Sequence, residues 1–261
     1  MRQKGISSTL IVVIIAIIAA TIAAAIFIWV SEKNKKSNIE NVNIPEQTSQ
    51  ERKIVALGDS ITKANNVSKD MPGDNDSYSF AVGTEINSVY QYLIDSGENL
   101  TAVNLAVSGA TSKDVLENQV PAVANLDPKY ITLLVGANDI LQGVTLDDFK
   151  KNLSEIIIQI NVNDATILVG AIPDITKMQQ ASYPACKENK LGQNLENLGQ
   201  AYIQNYNSAI REIASQNNLI FVDTFDILGA DDVSEVDCIH PNISGQEKLA
   251  SEFVKSLAAT Q

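Results

Sequence analysis

Five short, continuously apolar runs recur along the chain, and each is bounded by polar or turn-forming residues. They are Lys53-Ile54-Val55-Ala56-Leu57, Leu100 to Leu105, Tyr130 to Val135, Ala165 to Gly170 and Leu219 to Val222. A strand with one wet face alternates apolar and polar residues, whereas these runs do not alternate. They therefore predict strands buried on both faces, the mark of a parallel sheet covered by helices.

The segments between the runs carry the complementary pattern. Phe149, Leu153, Ile156, Ile157 and Ile160 recur at helical spacing behind Thr145-Leu146-Asp147-Asp148, where Thr145 can cap the helix and Asp148 suits its first turn. Similar helices are expected over 79–95, 111–124, 195–216 and 245–258, the last opened by a capping box at Ser244-Gly245-Gln246-Glu247. The fold class that follows is α/β, a three-layer α/β/α sandwich with a five-stranded parallel sheet in the flavodoxin-like manner. In such sheets ligands bind beyond the carboxyl ends of the strands, where the strand order reverses.

Ahead of this domain the sequence changes character. After a short tail, residues 1–9, the 21 residues from Leu10 to Val30 carry no charge. At about 1.5 Å per helical residue they match a hydrocarbon layer of roughly 30 Å. We expect one N-terminal transmembrane helix over 10–30 acting as a signal anchor, a polar linker over 31–52 and a folded domain over 53–261. The expected location is the cell membrane, with the domain on the extracytoplasmic side. Cleavage near Ala23-Ala24-Ala25, and hence secretion, is the alternative, although it would leave the apolar Ile26 to Val30 on the mature chain.

Charge narrows the partners. The net charge is −12, and without residues 1–36 the chain has 14 basic against 30 acidic residues, a net −16. Such a surface repels phosphate backbones, so nucleic acid is excluded as a partner. The two cysteines, Cys186 and Cys238, lack zinc-ligand spacing and form either one bridge or two buried thiols. There is a single histidine, His240, so any chemistry that needs an imidazole must use it.

The turns at the strand ends hold the polar groups. Gly58-Asp59-Ser60 follows the first run, Ala106-Val107-Ser108-Gly109-Ala110-Thr111 the second and Gly136-Ala137-Asn138-Asp139 the third; Asp237-Cys238-Ile239-His240-Pro241-Asn242 lies beyond the fifth. These four segments, in this order, resemble the four blocks of the SGNH, or GDSL-type, hydrolase family of esterases and lipases. In its compact layout the chain is most similar to the lysophospholipase and thioesterase-like members.

The resemblance implies a catalytic triad of Ser60, Asp237 and His240, and an oxyanion hole formed by the amides of Ser60 and Gly109 with the side chain of Asn138. It implies no metal and no organic cofactor. Each assignment has a chemical reason: a serine hydroxyl needs a base to take its proton, Gly109 leaves its amide unobstructed, and Asn138 is a neutral donor. Asp59 and Asp139 are read as structural hydrogen-bonding residues, Ser108 and Thr111 as turn and cap residues, and Tyr183, Tyr202 and Tyr206 as packing. A bridge between Cys186 and Cys238 would tie the loop after the fourth run to the histidine loop.

The function expected from these readings is a membrane-tethered serine ester hydrolase acting on a small-molecule or lipid ester, with acyl-lipid or lysophospholipid-like substrates in view. A carbohydrate O-acetyl esterase of the cell envelope is the alternative enzyme, and a tethered binding module without turnover is the non-enzymatic one.

Overall fold

Strand β1 (Arg52–Gly58) pairs in parallel with β2 (Leu100–Asn104) on one side and β3 (Pro128–Leu134) on the other. Beyond β3 follow β4 (Thr166–Gly170) and β5 (Ile220–Val222), giving the order β2-β1-β3-β4-β5. The computed structural model describes residues 51–162, 164–178, 183, 186 and 199–260. The continuous apolar runs are explained by their burial: Ile54, Val55, Ala56 and Leu57 of β1, and Ile131 and Leu133 of β3, are all fully buried.

Because parallel crossovers are right-handed, the chain's direction across the sheet decides which face each helix covers. From β1 it steps to β2 through α1 (Val89–Asp95), then returns past β1 to β3 by way of α2 (Ser112–Asp114), a π-helical turn over Val115–Gln119 and α3 (Val120–Val123). After β3 come α4 (Ala137–Gln142) and α5 (Leu146–Ile160), after β4 come α6 (Ile175–Met178) and α7 (Gln200–Gln216), and α8 (Ile243–Ala258) closes the fold. Helix α5 packs on α7, with the rings of Phe149 and Tyr206 5.1 Å apart; α8 packs on α1, and Phe253 meets Phe80 at 4.8 Å.

The α/β fold and its five-stranded parallel sheet are as the sequence predicts, and several helix boundaries are not. The segment from Ser79 to Asn87 is not helical, and Ser88 caps α1 instead by accepting from the Gln91 amide. A Cβ at Gly83 would collide with the carbonyls of Ser77 and Ser79, so this tight loop leaves no room for a regular helix. The helix expected over 111–124 is interrupted by a π turn that ends just before Pro121, whose missing N–H cannot continue a regular ladder. Helix α8 starts two residues before the expected site, capped by the Asn242 side chain on the Gly245 amide, while Ser244 bonds Asp232.

The N-terminal expectation requires correction. No helix among the described residues is long and apolar enough to cross a membrane, and the span expected over 10–30 lies outside those residues. The fold described is that of the α/β domain, and none of its elements is a transmembrane helix. The expected signal anchor, membrane partner and cell-membrane location find no support among the described residues.

The order 2-1-3 creates a switch point between β1 and β3, where the strand ends diverge. Gln119 fixes the end of β1 at that point. Its amide is buried, accepts from Gly58 N at 3.0 Å and donates to Gly58 O at 2.7 Å. Gly58 itself has φ +149°, and a Cβ there would strike the Leu134 carbonyl and the Thr62 hydroxyl. Gln119→Ala removes both bonds and strands buried backbone groups; we expect a loss of about 2 kcal/mol, read as a lower urea midpoint at unchanged slope.

Candidate active site

Just past Gly58, the chain turns back on itself through bonds from Lys63 N to Asp59 O and from Asn65 N to Ser60 O. Ser60 is thereby held at the carboxyl edge of the sheet, nearly buried at 9% exposure. Gly109 follows β2 at φ +82°, a backbone geometry that suits glycine, and its carbonyl accepts a long bond from Gln142 Nε2 at 3.4 Å. Asn138 stands in the first turn of α4, where its Nδ2 donates to Ala110 O at 3.2 Å.

A cavity of about 340 Å³ lies at this edge, and Asp59, Ser60, Asn65, Ser108, Gly109, Asn138 and His240 provide its polar lining. Ile61, Ala137, Leu141, Ile175 and Ile239 provide the apolar part. The structure thus brings Ser60, Gly109, Asn138 and His240 to one cavity, and Asp237 stands behind His240, with Oδ2 2.6 Å from Nδ1 of the ring.

The histidine loop is built by its own hydrogen bonds. Val233 and Pro241 pair across it, Ser234 N donates to His240 O, and Cys238 N donates to Ser234 O. Within it Asp237 Oδ1 accepts from the amides of Ile239 and His240, each at 3.0 Å. Cys238 between them has φ +60°, strained for a side-chain-bearing residue, and is bridged to Cys186 with the Cα atoms 5.2 Å apart. Of the two alternatives for the cysteines, the bridge is the one formed.

Two carboxylates sense the imidazole and are driven apart. Burial raises Asp237, but its bonds from His240 and Asn66 and the charge of His240 outweigh this and lower its pKa to about 2. Asp59 is pushed up to about 6 chiefly by burial; the Ile61 amide, the charge of His240 and a bond from Asn138 only partly offset this, and Asp139 adds to it. Asp59 accepts from Ile61 N at 2.9 Å and Asp139 holds the Ser112 amide and hydroxyl, so both have the hydrogen-bonding roles expected of them. Thr111 caps α2, and Ser108 donates to Asp74 at 2.5 Å. Among the described residues no group of His, Cys, Asp and Glu side chains is arranged to hold a metal ion.

Residues 56–248 match the profile of the GDSL-like lipase/acylhydrolase family. The chain belongs to that family. As a GDSL-type serine esterase it is 24% identical over 181 residues to Esterase TesA of Pseudomonas aeruginosa, a match spanning 67% of this chain and 80% of the relative. Among solved structures, a lipase/acylhydrolase from Enterococcus faecalis superposes with TM-score 0.61 at 20% identity, covering 80% of this chain and 96% of the other. Axe2, an acetylxylan esterase from Geobacillus stearothermophilus, superposes with TM-score 0.53 at 17% identity over 79% and 94% of the two chains. The described residues include no helix long and apolar enough to cross a membrane, so the membrane tether expected of this esterase has no support among them.

Sequence reasoning missed three side-chain amides that organise this GDSL-type site: Gln119 on Gly58, Gln246, which bonds Phe80 N and Ile61 O, and Asn66, which donates to Asp237 Oδ2 at 2.7 Å. Their partners are 61 to 185 residues away, so no local spacing signals them.

The raised Asp59 gives a pH signature. Between the unfolded carboxyl value near 4 and the folded value of about 6, the native state binds more protons than the unfolded one, so stability falls as pH rises through this window. Asp59→Asn, whose amide oxygen can still accept from Ile61, removes that dependence. Relative to wild type the variant should gain about 2–3 kcal/mol between pH 4 and pH 7, as measured by urea unfolding at both.

Proposed function

We propose that Ser60, His240 and Asp237 form the triad of this esterase, and that the Ser60 and Gly109 amides with the Asn138 side chain hold the oxyanion. His240 takes the Ser60 proton as Oγ forms a bond to the ester carbonyl carbon, and the carbonyl electrons move onto the oxygen facing the three donors. Collapse expels the alcohol, which leaves with the proton from His240. Water, deprotonated by the same ring, then attacks the acyl-enzyme, releases the acid and restores Ser60. Asp237 holds the Nδ1 proton and stabilises the imidazolium between steps.

The acyl group we assign is short, and the leaving group a carbohydrate hydroxyl, as in an O-acetyl esterase. The observation that carries this is the size of the cavity together with the polar side chains at one edge of it. At about 340 Å³ it is near the small end of ligand sites, and its Asn65 and Ser108 edge continues into Asp74, a set of donors and acceptors suited to sugar hydroxyls. The acetylxylan ester cleaved by Axe2 is of this class. Kinship with lysophospholipase and thioesterase-like members, inferred from the compact layout and the Gly136-Ala137-Asn138-Asp139 block, concerns the scaffold and not the substrate.

Hydrolysis of p-nitrophenyl acetate, butyrate and decanoate, alongside acetyl release from acetylated xylo-oligosaccharides, tests this. We expect kcat/KM to be highest for acetyl and to fall with chain length, Ser60→Ala to lose about 10⁴-fold or more and Asn138→Ala about 10²–10³-fold. A preference for decanoate, with no acetyl release from the sugar, overturns the substrate. Absence of ester turnover and of phosphonate labelling at Ser60 overturns the site.

A further inference from the structure

The loop that follows Ser60 does more than leave the active edge. Asn66, six residues on, exchanges hydrogen bonds with Gly73: its own amide donates to Gly73 O at 2.9 Å, and Gly73 N donates to its side-chain Oδ1 at 2.7 Å. Ser68 and Met71 pair inside this closure, which makes 66–73 a small hairpin. The exposed Lys69 at its tip reaches Glu235 at 3.7 Å, on the histidine loop.

This closure fixes the orientation of the Asn66 amide. Since Oδ1 receives a backbone N–H, Nδ2 is the end left to face Asp237, where it lies 2.7 Å from Oδ2. The flipped amide would set donor against donor at Gly73 and acceptor against acceptor at Asp237. The backbone at Asn66 has φ +52°, a left-handed geometry that asparagine tolerates better than other side-chain-bearing residues.

We propose that Asn66 is a positioning residue for ester hydrolysis, its side-chain amide holding the Asp237 oxygen that also bonds His240 Nδ1 and so fixing the ring toward Ser60. The inference rests on the triad proposed above. Two donors then share Oδ2, and two backbone amides occupy Oδ1, so the carboxylate cannot rotate away from the ring without breaking bonds. The bond from Asn66 also takes part of the carboxylate's negative charge, which keeps Asp237 from over-stabilising the protonated ring and leaves His240 available as a base.

Several charged groups among the described residues face Asp237 and its surroundings. His240 lies on Asp237's own loop, Asp59 after β1 acts on His240 through its charge and is itself raised by Asp139, and Lys69 with Glu235 bridges the hairpin to the loop. Asn66 contributes no charge of its own, so its removal changes a hydrogen bond without adding an ion.

Two variants of the full chain separate positioning from mere support. Asn66→Gly deletes the amide while keeping the left-handed backbone unstrained, and Asn66→Asp keeps an acceptor for Gly73 N but turns the donor facing Asp237 into a carboxylate. For both, with p-nitrophenyl acetate, we expect kcat to fall roughly tenfold or more with KM within about twofold. The acidic limb of kcat/KM should also move up by about half a pH unit in Asn66→Gly and further in Asn66→Asp, because each leaves the imidazolium better stabilised. A lower Tm with kcat and the acidic limb unchanged in both variants overturns the inference. If Ser60→Ala and His240→Ala retain wild-type turnover, the triad itself is wrong; if they abolish it while both Asn66 variants match wild type, only the role of Asn66 falls.

Discussion

The parallel pairing of β1 with β2 on one side and β3 on the other is the constraint on which the rest of the structure depends. It buries Ile54 to Leu57 on both faces and so forces the chain to leave the sheet abruptly at Gly58, at the one place where neighbouring crossovers run in opposite directions. Strand ends that diverge leave a cleft without any side chain having to be removed to make it. Ser60 reaches it from β1, Gly109 from β2 and Asn138 from β3, each within a few residues of a strand whose position the core already fixes. Precision at the site is thus inherited from packing.

Neutral amides carry that precision the last few ångströms. Gln119 holds both backbone groups of Gly58, Gln246 ties the Ile61 carbonyl to the Phe80 amide, and Asn138 is fixed on Ala110 O. Gln119 and Gln246 are buried, where a charged side chain would pay heavily for desolvation and disturb the field at His240. An amide offers a donor and an acceptor at once and adds no charge, which suits a domain already rich in acid.

The strands were legible because residues buried on both faces need no partner's help to be recognised: their apolar runs are continuous. Helix ends were less so, since they depend on neighbours. Ser244 reads as a cap until Asp232 is seen to take its hydroxyl, and the apolar residues near Phe80 read as helix until Gly83 is seen pressed against the carbonyls of Ser77 and Ser79. The four polar segments pointed to one site, and Ser60, Gly109, Asn138 and His240 do line one cavity. Asn66 could not be found this way, because what distinguishes it in an asparagine-rich chain is a contact with a residue 171 positions away. The apolar run at 10–30 lies outside the described residues, and among those described no helix supports the membrane tether that its hydropathy predicts.

Asp59 and Asp237 show how one loop geometry can give two carboxyl groups opposite characters beside the same ring. Each accepts from the amide two residues ahead, Ile61 for Asp59 and Ile239 for Asp237, so the local turn is the same. What differs is the rest of the shell. Asp237 gains His240 and Asn66 on its second oxygen and stays an anion far below neutral pH, while Asp59 is more deeply buried and is raised toward neutrality. Of the two, Asp237 is the one whose carboxylate bonds the ring directly, as the proposed triad requires. The division of labour between the two residues therefore follows from how many donors the fold delivers to each carboxylate, and the hairpin carrying Asn66 is what delivers the donor from outside the histidine loop.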